Sequence, residues 1–306
     1  MLNSISGYNF NKPTFKQNLH PVDLKYKQAL IRGVQAKFQF TPKIEALDSI
    51  LAPQEFKKIL KKIPEYFFKV GNLAKENEFV KNIENIKNKM FRINLHTHTV
   101  NSDGNLSSEK FLEQSKMYAD KIARSKKDNF PAYISSVTDH NNFKTPQEVV
   151  AMIADDSAKY KNYKFVVGCE YLFEDKNRGM FEALAYGFDP FDEYIETNTK
   201  KYNSLTLIEK LKEYDGFLSY AHPLRYCQGI DITQEFIDYL KNSGIEGMES
   251  HYQYLGINHD KYFLEDISCI KKIAKENDFI ETGGTDSHVS NIFCFQAEEF
   301  LDDILK

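Results

Sequence analysis

The chain has 306 residues, 42% of them apolar and 27% charged, with a net charge of −4 and eight histidines. That length suits one large domain with an appendage, or two domains, and the composition is that of an ordinary globular protein rather than a disordered or collagen-like one. No apolar run approaches membrane-spanning length, and the first twenty residues lack the apolar core of a secretory signal, so the sequence reads as cytoplasmic with no membrane partner.

The charge is unevenly distributed. Residues 1–90 hold 16 Lys and Arg against 8 Asp and Glu, and residues 91–306 hold 24 against 36. This divides the chain into a basic N-terminal extension, 1–90, and an acidic domain, 91–306. Residues 1–50 are rich in Asn, Lys and Gln without a sustained period and read as irregular. Helices are expected at 53–63 and 72–89; in the second, Leu73, Phe79, Val80, Ile83 and Ile86 fall at helical spacing. The surplus of lysine is first of all that of solvated helix faces. It also gives nucleic acid a surface to bind.

From residue 91 short apolar runs alternate with helical stretches. Strands are expected at 91–96, 132–138, 164–170, 180–186, 217–221, 245–250 and 279–283. Helices are expected at 107–126, 145–158, 204–214, 232–243 and 262–277, with Ser107 as an N-cap and Pro146 in a first turn. Alternating strands and helices predict a parallel α/β architecture, and seven strands favour a barrel over an open sheet. No GxGxxG follows a strand, which excludes the usual dinucleotide fingerprint. The four cysteines are dispersed, with no CxxC pair, and read as reduced thiols.

Chemistry collects where these strands end. His96 and His98, then Asp103, follow the first; Asp139 and His140 the second; Glu170 the third; His222 the fifth; Glu249 and His251 the sixth; Asp286 and His288 the seventh. Six of the eight histidines are there, and barrel enzymes gather their reacting groups at that rim. Residues i and i+2 of an extended segment face the same way, so His96 and His98 can reach one ion together, as can Asp286 and His288. Asp139 and His140 point apart, one to bind and one to support. Cys169 points away from Glu170. Imidazole and carboxylate without sulfur suit Mn, Fe or Zn, and the set is too large for one ion. Two or three divalent ions are expected, an arrangement common in phosphoester cleavage.

The segments "NLHTHTVNSDG", "TDHN", "GCE", "AHP" and "GGTDSH" resemble, in order, the motifs of the PHP (polymerase and histidinol phosphatase) superfamily over roughly 91–290. The resemblance implies a distorted (β/α)7 barrel, here with a partly helical N-terminal extension, and metal-dependent phosphoesterase activity. "AHPLRY" is similar to a segment of the nucleoside 3′,5′-bisphosphate phosphatase and ribonuclease AM branch, which makes Arg225 a candidate phosphate clamp. Carried over, the first ion takes His96, His98, Glu170 and Asp286. Glu170 bridges to a second ion that also takes His222, and a third takes Asp103, His140 and His288. The chain departs from the pattern at Asn94, where the family has Asp, at Thr285, where it has Ser, and at Glu182, where many relatives place a ligand histidine. Glutamate can bind a metal there too. The implied reaction is hydrolysis of a phosphomonoester, a nucleotide or similar small phosphorylated metabolite, by metal-activated water, with Arg225 assisting and His251 a candidate proton donor. An exonuclease fed RNA or single-stranded DNA ends by the basic extension is the first alternative. A non-catalytic, metal-stabilised binding module is the second.

Overall fold

A computed structural model of the chain describes residues 19–62, 92–125, 131–175, 179–198, 204–223, 232–252, 264–290 and 292. Seven strands form one sheet in sequence order: β1 (Ile93–Asn94), β2 (Tyr133–Val137), β3 (Tyr163–Asp175), β4 (Gly179–Tyr186), β5 (Phe217–Tyr220), β6 (Ile245–His251) and β7 (Ile280–Gly283). The two edges meet. Leu95 N–H donates to Gly283 O (3.0 Å), Asp286 N–H to His96 O (2.8 Å) and His98 N–H to Ser287 O (2.9 Å). The result is a nearly closed seven-stranded barrel, as the sequence predicts.

Five helices lie where they are expected, α3 (Ser108–Ser125), α4 (Lys144–Asp155), α6 (Ser204–Lys212), α7 (Gln234–Asn242) and α8 (Leu264–Glu276), and a short sixth, α5 (Glu193–Asn198), is not among those expected. The Ser107 hydroxyl accepts from Lys110 N–H (3.3 Å), and Thr233 caps α7 by accepting from Phe236 N–H (3.2 Å). Each hydroxyl satisfies one of the donors that a helix start leaves unpaired. The inner faces of α3 and α4 are apolar at helical spacing, with Phe111, Leu112, Ala119, Ile122, Val149, Val150 and Ile153 buried against the barrel wall.

Two expectations need correction. The sheet is not wholly parallel: β4 runs antiparallel to both β3 and β5. Three residues separate Asp175 from Gly179, far too few for a crossover helix, so the chain must fold straight back. Nor are residues 1–50 irregular throughout, because α1 spans Pro21–Phe38. Its buried face mixes Tyr26, Ala29, Leu30 and Val34 with Asp23 and Lys27, and the two buried charges obscure its period. The helix expected at 53–63 is α2 (Pro53–Lys62), and the one expected at 72–89 lies outside the described residues.

These N-terminal helices are built into the barrel. Leu51, Phe56 and Leu60 pack with Ile93, Leu95, Ile134, Val166, Leu184, Tyr186 and Phe217 in one buried cluster. Lys57 reaches Asp215 (3.2 Å) and Glu246 (3.1 Å), beside the starts of β5 and β6. Gly187, at φ +80°, lets Pro53 approach where a Cβ would collide with the ring. α2 therefore floors the N-terminal end of the barrel. The opposite end, where the parallel strands finish, carries the histidines.

Candidate metal centre

His96 and His98 follow β1 in extended backbone, and both side chains are fully buried. As the i, i+2 spacing requires, they point the same way, with their Nε2 atoms 3.1 Å apart. Glu170 Oε2 lies 3.2 Å from each, and Asp286 Oδ1 lies 3.2 Å from His96 Nε2 and 3.1 Å from His98 Nε2. Five of the six edges of this four-atom figure are thus 3.1–3.2 Å. A tetrahedron of that size has its centre about 2.0 Å from each corner, the bond length of zinc-like ions to imidazole and carboxylate. Two imidazole nitrogens can bring at most two protons to these contacts, so several edges set lone pair against lone pair. A cation at the centre satisfies all four atoms, and the residues fit a metal ion.

Glu170 extends the cluster. Its Oε1 is 2.9 Å from His222 Nε2, and its Oε2 is 3.3 Å from His140 Nδ1. Glu182 closes this second set, 3.7 Å from His140 Nδ1 and 3.5 Å from His222 Nε2. Because β4 runs antiparallel, its first half reaches the rim, which is how Glu182 arrives beside residues from strand ends. A third set forms around Asp103, whose carboxylate is 3.1 Å from His288 Nε2, 3.5 Å from His140 Nε2 and 3.5 Å from His98 Nδ1. Eight of the nine expected ligands thus fall into three adjoining groups that could hold metal ions, and His222 lies beside the second of them, against Glu170 and Glu182.

Backbone shape explains one division. The i, i+2 spacing allows Asp286 and His288 to share an ion, yet they serve different groups. Asp286 has φ +49°, which breaks the extended run. His222, at φ +22°, is likewise outside ordinary strand geometry. Such positions in non-glycine residues persist where the surroundings hold them. Gly284 permits the close approach beneath, since a Cβ there would strike the backbone of His96. Asn94 anchors the same loop, accepting from Thr285 N–H (2.9 Å) and donating to Ile292 O (3.1 Å).

Asp139 lies outside the three groups and His140 inside two of them, a division that their alternation allows. Asp139 accepts from Thr99 N–H (2.6 Å), Thr99 Oγ1 (2.6 Å) and Ser102 Oγ (2.9 Å), which fixes the loop after His98. Cys169 faces away, 3.3 Å from Asp139 O, and burial pushes its thiol pKa up. Arg225 lies outside the described residues. His251 belongs to none of the three groups; its Nε2 is 2.8 Å from Glu281 Oε2.

Two further residues hold these groups from outside: the strand-end pattern places Glu249 at the rim without giving it a role, and nothing in the sequence marks Tyr252. Glu249 contacts His96 Nδ1 with both oxygens, at 3.1 and 3.2 Å. Tyr252, buried, donates its hydroxyl to Asp286 Oδ2 (2.7 Å) and lies edge-on to His222. Neither type is a rare metal-binding residue, and neither sits in a motif.

The electrostatics follow the packing. Burial opposes charge on His98, but Asp286 and Glu170 outweigh it and raise its pKa to about 9. Burial also resists ionising Asp286 and Glu170, yet His96 and its neighbouring histidines hold both carboxyls well below their ordinary range. Carboxylates therefore face the cluster ionised, the form in which they bind cations.

No family model matches the chain, and no curated protein matches it either. Among solved structures, it is similar to a protein assigned as a metal-dependent phosphoesterase from Bifidobacterium adolescentis, at 15% identity and a TM-score of 0.46, over 64% of this chain and 87% of the other. It is similar also to an amidohydrolase from Chromobacterium violaceum with bound sulfate and no metal, at 15% identity and a TM-score of 0.46, over 69% and 96%. Likeness at this level carries no information on substrate or reaction.

Proposed function

We propose that the chain is a metal-dependent hydrolase of the PHP type that cleaves a phosphomonoester. The observation that carries this reading is the buried figure of His96, His98, Glu170 and Asp286, joined through Glu170 to further ligand-type residues. Divalent ions bound there supply Lewis acidity, which makes water a nucleophile at neutral pH and offsets phosphoryl charge. The residues do the rest. His96, His98, Glu170 and Asp286 hold one ion, and Glu170, Glu182 and His222 hold a second. Asp103, His140 and His288 hold a third, with the His140 ring between the last two groups.

Four of these ligands are carboxylates, which would repel an anionic substrate from the bare site. Bound ions would reverse that field, which would couple substrate binding to metal loading. Arg225 serves as the fork that grips a phosphoryl oxygen pair. His251, oriented by Glu281, supplies the proton that the leaving oxygen needs.

The test is phosphate release with and without Mn²⁺ across nucleotides, sugar phosphates and a nucleoside 3′,5′-bisphosphate. Metal-dependent release from one class, abolished in His98→Ala and Asp286→Ala, is expected. Full activity in either variant, or no release by metal-loaded protein, would overturn the reading.

A further inference from the structure

The carboxylate of Glu249 is fully buried and touches two ligands from two different groups. Both oxygens lie against His96 Nδ1, at 3.1 and 3.2 Å. Oε2 also accepts the backbone N–H of His222 at 2.9 Å. From the other side, Glu170 lies 3.2 Å from His96 Nε2 and 2.9 Å from His222 Nε2. Glu249, His96, Glu170 and His222 therefore close a ring that spans the first and second ligand groups.

We infer that Glu249 is the positioning residue that joins these two groups, setting the tautomer of His96 and the backbone of His222 at once. The inference rests on the metal-centre reading. Two carboxylate oxygens at Nδ1 require a proton on that nitrogen. Nε2 is left with its lone pair, aimed at His98 Nε2 and Glu170. An outer carboxylate on a ligand imidazole fixes the ring and strengthens it as a donor, and its loss typically lowers metal affinity 10–100-fold. The second contact acts on geometry. His222 sits at φ +22°, and its N–H is tied to Glu249, so the same carboxylate holds the turn that aims the His222 ring at Glu170. One side chain thus governs a ligand of each group, and its removal weakens both together.

The test is Glu249→Gln in the full chain, with Mn²⁺ and Zn²⁺ binding followed by calorimetry. Glutamine keeps the volume but offers one acceptor where the site uses two, and sets an NH₂ against an N–H. Affinity is expected to fall 10–100-fold in the two tightest binding events. Nitrogen-15 NMR of the Zn²⁺-loaded wild type should show His96 protonated at Nδ1, a result independent of whether the variant folds. Wild-type affinity in both events, or a His96 proton on Nε2 in the loaded protein, overturns the inference. If only one event weakens, the joining role is overturned. The metal-centre reading is judged separately: wild-type protein that takes up no metal, or His98→Ala that binds as well as wild type, removes that reading and this inference with it.

Discussion

Phe56→Ala tests whether the N-terminal helices are part of the barrel. Phe56 is fully buried, stacks on Phe217 at 5.9 Å between ring centroids and meets Tyr186 edge-on at 5.7 Å. Both partners belong to barrel strands. Truncation removes the transfer energy of the ring and leaves a cavity under the barrel, together about 3–5 kcal/mol. The lost aromatic pairs place the value toward the upper half of that range. For a chain of this size the melting temperature should drop by roughly 6–8 °C. Denaturant unfolding is followed with chelator present, so that metal binding cannot mask the loss. A loss below about 1 kcal/mol would refute the reasoning, because it would mean that α2 rests loosely on a barrel that is stable without it.

Two further outcomes follow from individual contacts. Burial, aided by Asp192, raises the Asp189 pKa from 3.8 to about 6. The folded state therefore favours the protonated acid, and this stabilisation is complete below pH 4 and lost as pH rises through 6. Asp189→Asn should remove that slope and gain up to about 3 kcal/mol at pH 7, read from urea unfolding between pH 4 and 7; equal slopes in both proteins would contradict it. Tyr252→Phe removes the hydroxyl that holds Asp286 Oδ2 and should weaken the tightest Mn²⁺ binding 10–100-fold with little change in metal-free stability, and unchanged affinity would show that Asp286 needs no such anchor.

The strands and the clustered rim histidines are legible because each follows a simple period. Alternation places His96 and His98 on one side, and it separates Asp139 from His140 and Cys169 from Glu170. The antiparallel course of β4 is not legible, because β3 runs on to Asp175, past the strand end that the sequence suggests, and only then do too few residues remain before Gly179 for a helix. Other features depend on contacts far apart in the chain. α1 buries Asp23 and Lys27 beside its apolar residues, which breaks the pattern a helix reading relies on. The split between Asp286 and His288 depends on one backbone angle. Glu249 and Tyr252 contact residues that follow strands other than their own, so no local spacing reveals what they hold.

The central claim is that the rim of the barrel binds metal through the residues named. The most direct measurement is a crystal of the Mn²⁺-loaded protein, with anomalous maps collected at the manganese edge. The expected result is a peak bounded by His96, His98, Glu170 and Asp286, and at least one more on the far side of Glu170 toward Glu182 and His222 or toward Asp103 and His288. Crystals of loaded protein with no anomalous density among these side chains would contradict it.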